Sequence, residues 1–94
     1  MFILSIRYTA PLEEVDRHRP AHLDWLRAGP EAGHFIGWGR KTPPTGGIVL
    51  ARGDRAQVEA LALEDPFITG KVAEVEVIEW TPSFLGAGLE ALAS

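Results

Sequence analysis

The order of elements turns on three consecutive segments: His34-Phe-Ile-Gly-Trp-Gly-Arg40, Lys41-Thr-Pro-Pro-Thr-Gly-Gly47 and Ile48-Val-Leu-Ala51. The first reads as a strand weakened by two glycines. The second is a stiff, turn-rich loop of Pro and Gly. The third is a short, wholly apolar strand. Two strands back to back in mid-chain imply an antiparallel pair, and what flanks them sets the topology. Upstream, residues 12–28 recur at helical spacing through Val15, His18 and Arg19, His22 and Leu23, and Leu26, with Asp16, Arg17, Asp24 and Arg27 on other faces. Pro20 interrupts that pattern and suits a first helical position better than an interior one. The expectation is a short turn over 12–18 and a main helix from about 20 to 28, stopped by Gly29-Pro30. Downstream, Asp54 is a natural N-cap for a helix over 55–64, with Val58, Leu61 and Ala62 as its apolar stripe. Asp65-Pro66 ends it, because a residue before proline avoids helical angles.

The two ends of the pattern alternate. Phe2, Leu4, Ile6 and Tyr8 fall on one face of residues 2–9, and residues 73–80 alternate again. The order is β-α-β-β-α-β, the ferredoxin-like split unit. Its crossovers place strands one and three inside a four-stranded antiparallel sheet, with both helices on one face. The other face then needs a cover, and the same face of a second subunit supplies it. Residues 83–94 form a tail with Phe84, Leu85, Leu89 and Leu92 at roughly helical spacing, suited to covering a sheet face or a dimer partner.

Composition narrows the classes. The 94 residues suffice for a single domain, 1–94, that buries only about 60–65% of its unfolded surface. Such a thin core, without cysteine to staple it, favours a homodimer. Absence of cysteine also removes disulfides, zinc fingers and thiol catalysis. Nine basic against thirteen acidic residues leave a net charge of −4, which argues against a nucleic-acid partner. The apolar start is short and ends at Arg7, unlike a signal peptide, and no run approaches a membrane span. A cytoplasmic protein with no membrane partner is expected.

The topology gathers polar residues at one edge. The strand-one exit, the start of helix one, the loop 41–47 and the end of helix two all meet there. Tyr8, His22, Arg40, Lys41, Gly46, Gly47 and Asp65 thus converge, with His22 and Asp65 as a candidate catalytic pair. Imidazole takes and gives protons near neutral pH, and a carboxylate on one ring nitrogen fixes its tautomer. Arg40, Lys41 or the backbone at 46–47 is placed to hold a substrate anion or developing oxyanion. Taken singly, these residues have ordinary explanations: a helical His is commonly structural, and Asp-Pro is a common stop signal. His18 and His22 have the i, i+4 spacing of metal ligands, but Pro20 lies between them, so no metal and no cofactor is assigned. Trp25, Trp38 and Trp80 read as core or interface residues rather than a stacking platform.

Over about residues 2–80 the sequence resembles the YCII-related family of the dimeric α+β barrel superfamily. The resemblance rests on Ala21-His22-Leu23-x-Trp25-Leu26, Gly33-His-Phe-Ile36, Gly39-Arg-Lys-x-Pro43-x-x-Gly46-Gly47-Ile48, Asp65-Pro66-Phe67 and Glu79-Trp80. It implies a ferredoxin-like fold, two subunits packed sheet against sheet, and a His–Asp active site at His22 and Asp65. It also implies enzyme-like members, a few acting on aromatic compounds as a dehydrochlorinase does. Two departures stand out: Trp38 where a serine is common, and Arg40 where proline is frequent.

Three functions follow as expectations. The first is a cofactor-independent enzyme, an isomerase, lyase or dehydrochlorinase, in which His22 and Asp65 act on a small organic acid or aromatic-derived substrate. In it Tyr8 and Trp38 line the pocket, and Arg40 neutralises substrate charge. The second is a non-catalytic homodimer that binds a small molecule in the same pocket. The third is an accessory dimer that joins a larger enzyme through the apolar tail.

Overall fold

A computed structural model describes residues 1–93, the side chain of Pro30 excepted; Ser94, the end of the expected tail, lies outside the described residues. The elements are β1 (Phe2–Tyr8), α1 (Leu12–Glu31), β2 (Phe35–Arg40), β3 (Gly46–Ala51), α2 (Arg55–Leu63), α3 (Pro66–Thr69) and β4 (Ala73–Glu79), then a short 3-10 helix (Glu90–Ala93). The four strands form one antiparallel sheet in the order β2-β3-β1-β4, which puts the first and third strands inside as the topology requires. The even-numbered residues of β1 point at the helices. Phe2, Leu4 and Ile6 are buried there with Val49 and Ala51 of β3, Val15 and Leu26 of α1, and Val58 and Ala62 of α2.

Helix α1 differs from expectation. It is continuous across Pro20 and runs past Gly29-Pro30 to Glu31. An interior proline costs about 3 kcal/mol of helix propensity. Here Pro20 is exposed, and buried residues lie on both sides of it, Val15 before and His22 and Leu26 after. Packing of that stripe against the sheet holds both halves on one axis and overrides the local break. The helix closes further on, where Gly33 takes φ 80° and the His34 N–H donates to the Gly29 carbonyl at 3.0 Å.

The sheet departs from expectation at the start of β3. Gly46 and Gly47, read from sequence as loop, are already strand and pair with Arg7 and Ile6 of β1. Glycine is required there. A Cβ on Gly46 would lie deep inside van der Waals contact with the Ile6 carbonyl oxygen. Helix α2 starts as expected: the Asp54 side chain accepts from the Gln57 N–H at 3.0 Å. Asp54→Ala is expected to cost about 1 kcal/mol, a fall of roughly 4–8 °C in Tm for a domain of this size, measurable by thermal melts at fixed protein concentration.

The other sheet face carries no helix. Ile3 pairs with Leu50 and Ile78, and Ser5 with Ile48 and Glu76, so an apolar patch crosses the strands. Arg7, bonded to Glu74, stands at its border. The expected helical tail is only the short 3-10 turn. Ala93 shares a shallow depression with residues 81–85, while Phe84 remains 86% exposed and covers nothing within the chain.

Candidate active site

Asp65 follows the Glu64 C-cap of α2 and is itself the N-cap of α3. Its Oδ1 accepts the Phe67 N–H at 3.0 Å, and the residue is fully buried. The same Oδ1 meets His22 Nδ1 at 2.7 Å. Because Oδ1 already accepts from the backbone, Nδ1–H is the donor in that contact. The tautomer is thereby fixed with the free lone pair on Nε2. The imidazole is clamped from the side as well. It stacks on Phe67 with ring centroids 3.8 Å apart and planes 13° from parallel, and Trp25 lies 5.6 Å away. Trp25 is held by its own hydrogen bond to the Leu61 carbonyl at 3.1 Å. His22 is 8% exposed, and it opens onto a cleft of about 200 Å³.

The cleft walls come from α1, β1, β2, β3 and α3. Tyr8, Trp38, Arg40, Gly46 and Gly47 line it with His22, as expected. The glycines contribute a smooth wall. They sit in a strand flanked on both sides, so their peptide groups serve the ladder and do not form the free loop cradle expected of them. Lys41 is not in the cleft. Arg40 pairs with Gly47 and shares the helix side of the sheet with Ile6; the next residue turns to the opposite side. Lys41 there lines a separate depression with Ser5, Arg7, Glu74 and Glu76.

Six further residues line the cleft, Ile6, Arg19, Leu23, Leu26, Gly39 and Phe67, and two of them bear on the chemistry. Phe67 stacks on His22 and meets the Tyr8 ring edge-on at 5.7 Å. Arg19 lies with its guanidinium carbon 5.7 Å from the Phe67 centroid. Its Nε donates to Asp16 Oδ1 at 3.0 Å. Burial works against its charge, but the Tyr8 hydroxyl and the Asp16 carboxylate outweigh that and hold its pKa above the ordinary arginine value. Arg19 precedes His22 by three residues, which places both on one helical face once α1 is continuous. The remaining histidines lie apart. His18 packs against Gly70, and His34 faces the Arg52 carbonyl. Among the described residues no three His, Cys, Asp or Glu side chains converge as metal ligands, and no helix is long and apolar enough to cross a membrane.

Comparison with known proteins accords with this architecture. No curated protein matches the sequence. Among solved structures, the chain is similar to a 5-chloro-2-hydroxyhydroquinone dehydrochlorinase from Burkholderia phenoliruptrix AC1100, determined in complex with 2,5-dihydroxybenzoquinone. The TM-score is 0.65 at 20% identity, over 86% of this chain and 94% of that one, a likeness of fold. The model of the YCII-related domain matches residues 1–81, from the first strand through the last, and the chain therefore belongs to the YCII-related family.

Proposed function

We propose that this protein is an acid–base enzyme of the isomerase, lyase or dehydrochlorinase type, acting on a small organic acid or aromatic-derived molecule. The observation that carries the reading is the 2.7 Å His22–Asp65 contact at the wall of a cleft, with Nε2 left as the free ring nitrogen. In the reaction a substrate O–H or C–H proton passes to Nε2, and the electrons of that bond move into the adjoining unsaturated system. An isomerisation ends when the imidazolium returns the proton to another carbon. A dehydrochlorination ends with cleavage of the C–Cl bond, whose electron pair leaves as chloride. The net loss is HCl, so no oxidant is needed. Asp65 positions the ring and stabilises the imidazolium. Nothing in these steps calls for a cofactor beyond the side chains named.

The reading includes a homodimer closed through the bare sheet face. Ile3, Ile48, Leu50 and Ile78 give that face an apolar centre, and the thin core of a 94-residue chain gains from covering it. The cysteine-free sequence suits a reducing cytoplasm.

The test is incubation in D2O with 5-chloro-2-hydroxyhydroquinone and with a set of small enolisable acids, following chloride release and deuterium incorporation by NMR. Release or exchange above the uncatalysed rate is the expected result. Binding of these compounds with neither release nor exchange would replace the enzyme reading with that of a non-catalytic binding dimer. The tautomer has its own check. The ¹⁵N shifts of His22 are expected to show an Nδ1–H ring in the native protein, and a shift to the Nε2–H ring in Asp65→Asn, whose amide can donate to Nδ1.

A further inference from the structure

The protein carries a net charge of −4, yet among the described residues no carboxylate lines the His22 cleft. Its two charged residues are both arginines. Arg19 comes from α1 and Arg40 from the end of β2. Together with Tyr8 they also line the depression that adjoins the cleft, whose other walls are Leu12, Asp16 and Pro44. The arginines therefore stand at the junction between the cleft and its mouth. They differ in state. Arg19 is three-quarters buried along its side chain and is oriented by Asp16 and the Phe67 ring. Arg40 is exposed and makes no ion pair or side-chain hydrogen bond among the described residues. Deeper in, the cleft is apolar, with Ile6, Leu23 and Leu26, while the half-exposed Trp38 forms an apolar outer wall. Within an acidic protein, the charged side chains that line this cleft are thus both positive.

We infer that the cleft selects small organic anions with an apolar body, and that Arg19 is the residue that reads the charge, with Arg40 as a second contact at the mouth. This rests on the cleft being the reaction site and narrows its substrate class from small organic acids and aromatic-derived molecules to those that carry a negative charge. Arg19 suits the role because its guanidinium is already oriented. A ligand that binds it therefore fixes fewer rotors than one that binds a free arginine. Its partner Asp16 is itself exposed, so Asp16 can remain solvated while Arg19 turns a free N–H toward the cleft. Trp38 gives the apolar body a wall.

The experiment compares 2,5-dihydroxybenzoate with 2,5-dihydroxybenzamide, which share ring and hydroxyls and differ in charge. Binding to the full chain is measured calorimetrically, and the ¹⁵N shifts of His22 report whether the probe is in the cleft. The anion is expected to bind about ten- to a hundredfold more tightly than the amide, the usual worth of a hydrogen bond to a charged group. Arg19→Gln is expected to bring that ratio close to one, Arg19→Lys to keep part of it, and Arg40→Gln to reduce it less. Equal affinity of the two probes for the native protein, or full discrimination in Arg19→Gln, overturns the assignment. The acid–base reading would survive that outcome, because it depends on His22-linked exchange. If neither probe perturbs His22, the cleft is not a ligand site and both readings fall together.

Discussion

His22→Gln is expected to lower any chloride release or deuterium exchange by about 10²–10⁴-fold, the range that a positioned general acid or base contributes. Glutamine retains much of the side-chain volume and can still donate to Asp65, but it has no basic ring nitrogen to receive a proton. Asp65→Asn is expected to fall in the same range for a different reason. The amide can donate to Nδ1, and the ring then carries its proton on Nε2, where the reaction needs a lone pair. The two losses should not add, because both variants remove the same base. A double variant no slower than either single one is the expected signature, with circular dichroism showing that the sheet is retained. His22→Gln should also lose about 2 kcal/mol of stability, since a buried hydrogen bond to a charged group is weakened. An activity that survives His22→Gln would remove the imidazole from the mechanism.

The second large effect is on folding. Gly46→Ala is expected to destabilise the protein by about 3 kcal/mol or more, lowering Tm by roughly 12–24 °C. The added methyl meets the Ile6 carbonyl oxygen, which belongs to the backbone of β1 and cannot rotate away. Relief requires β1 and β3 to separate at the pair of strands that forms the middle of the sheet. A melting temperature within about 2 °C of the native value would mean that the chain at 46 behaves as a yielding loop. The strand would then begin where the sequence alone suggested, at Ile48.

Much of this site could be read from the sequence, and the parts that could not have identifiable causes. The alternation of β1 and β4, the N-cap at Asp54 and the apolar run 48–51 were enough for the element order, and the crossover rule then sets the strand order. The His22–Asp65 contact followed from topology, across 43 residues of chain. Arg19 falls on the helical stripe but carries no site role from sequence, because Pro20 reads locally as a break between it and His22. Only the packing of Val15, His22 and Leu26 on one stripe shows that the helix survives it. Lys41 was misplaced although the rule that excludes it is elementary. Consecutive residues at a strand end face opposite sides, so Arg40 and Lys41 cannot both enter one cleft. Gly46 and Gly47 read as loop because glycine is unfavourable in strands, and the close approach of β1 that demands it is a tertiary fact. Helix α3 is four residues long, too short for any periodicity to show.

The unbroken helix makes α1 a ruler. Arg19 and His22 rise from the same rigid axis, about 4.5 Å apart along it, with no hinge between them. In the proposed site, the positions from which the charge-holding and proton-taking side chains spring are therefore fixed by the helix and not by a movable loop. Compounds would be sorted by length. Those that place the labile hydrogen at the matching remove from the anionic end would react, and longer or shorter homologues would occupy the cleft as inhibitors. Widening the substrate range would then call for changes on the opposite wall, at Trp38 or Arg40, since no side-chain exchange on α1 can alter its pitch.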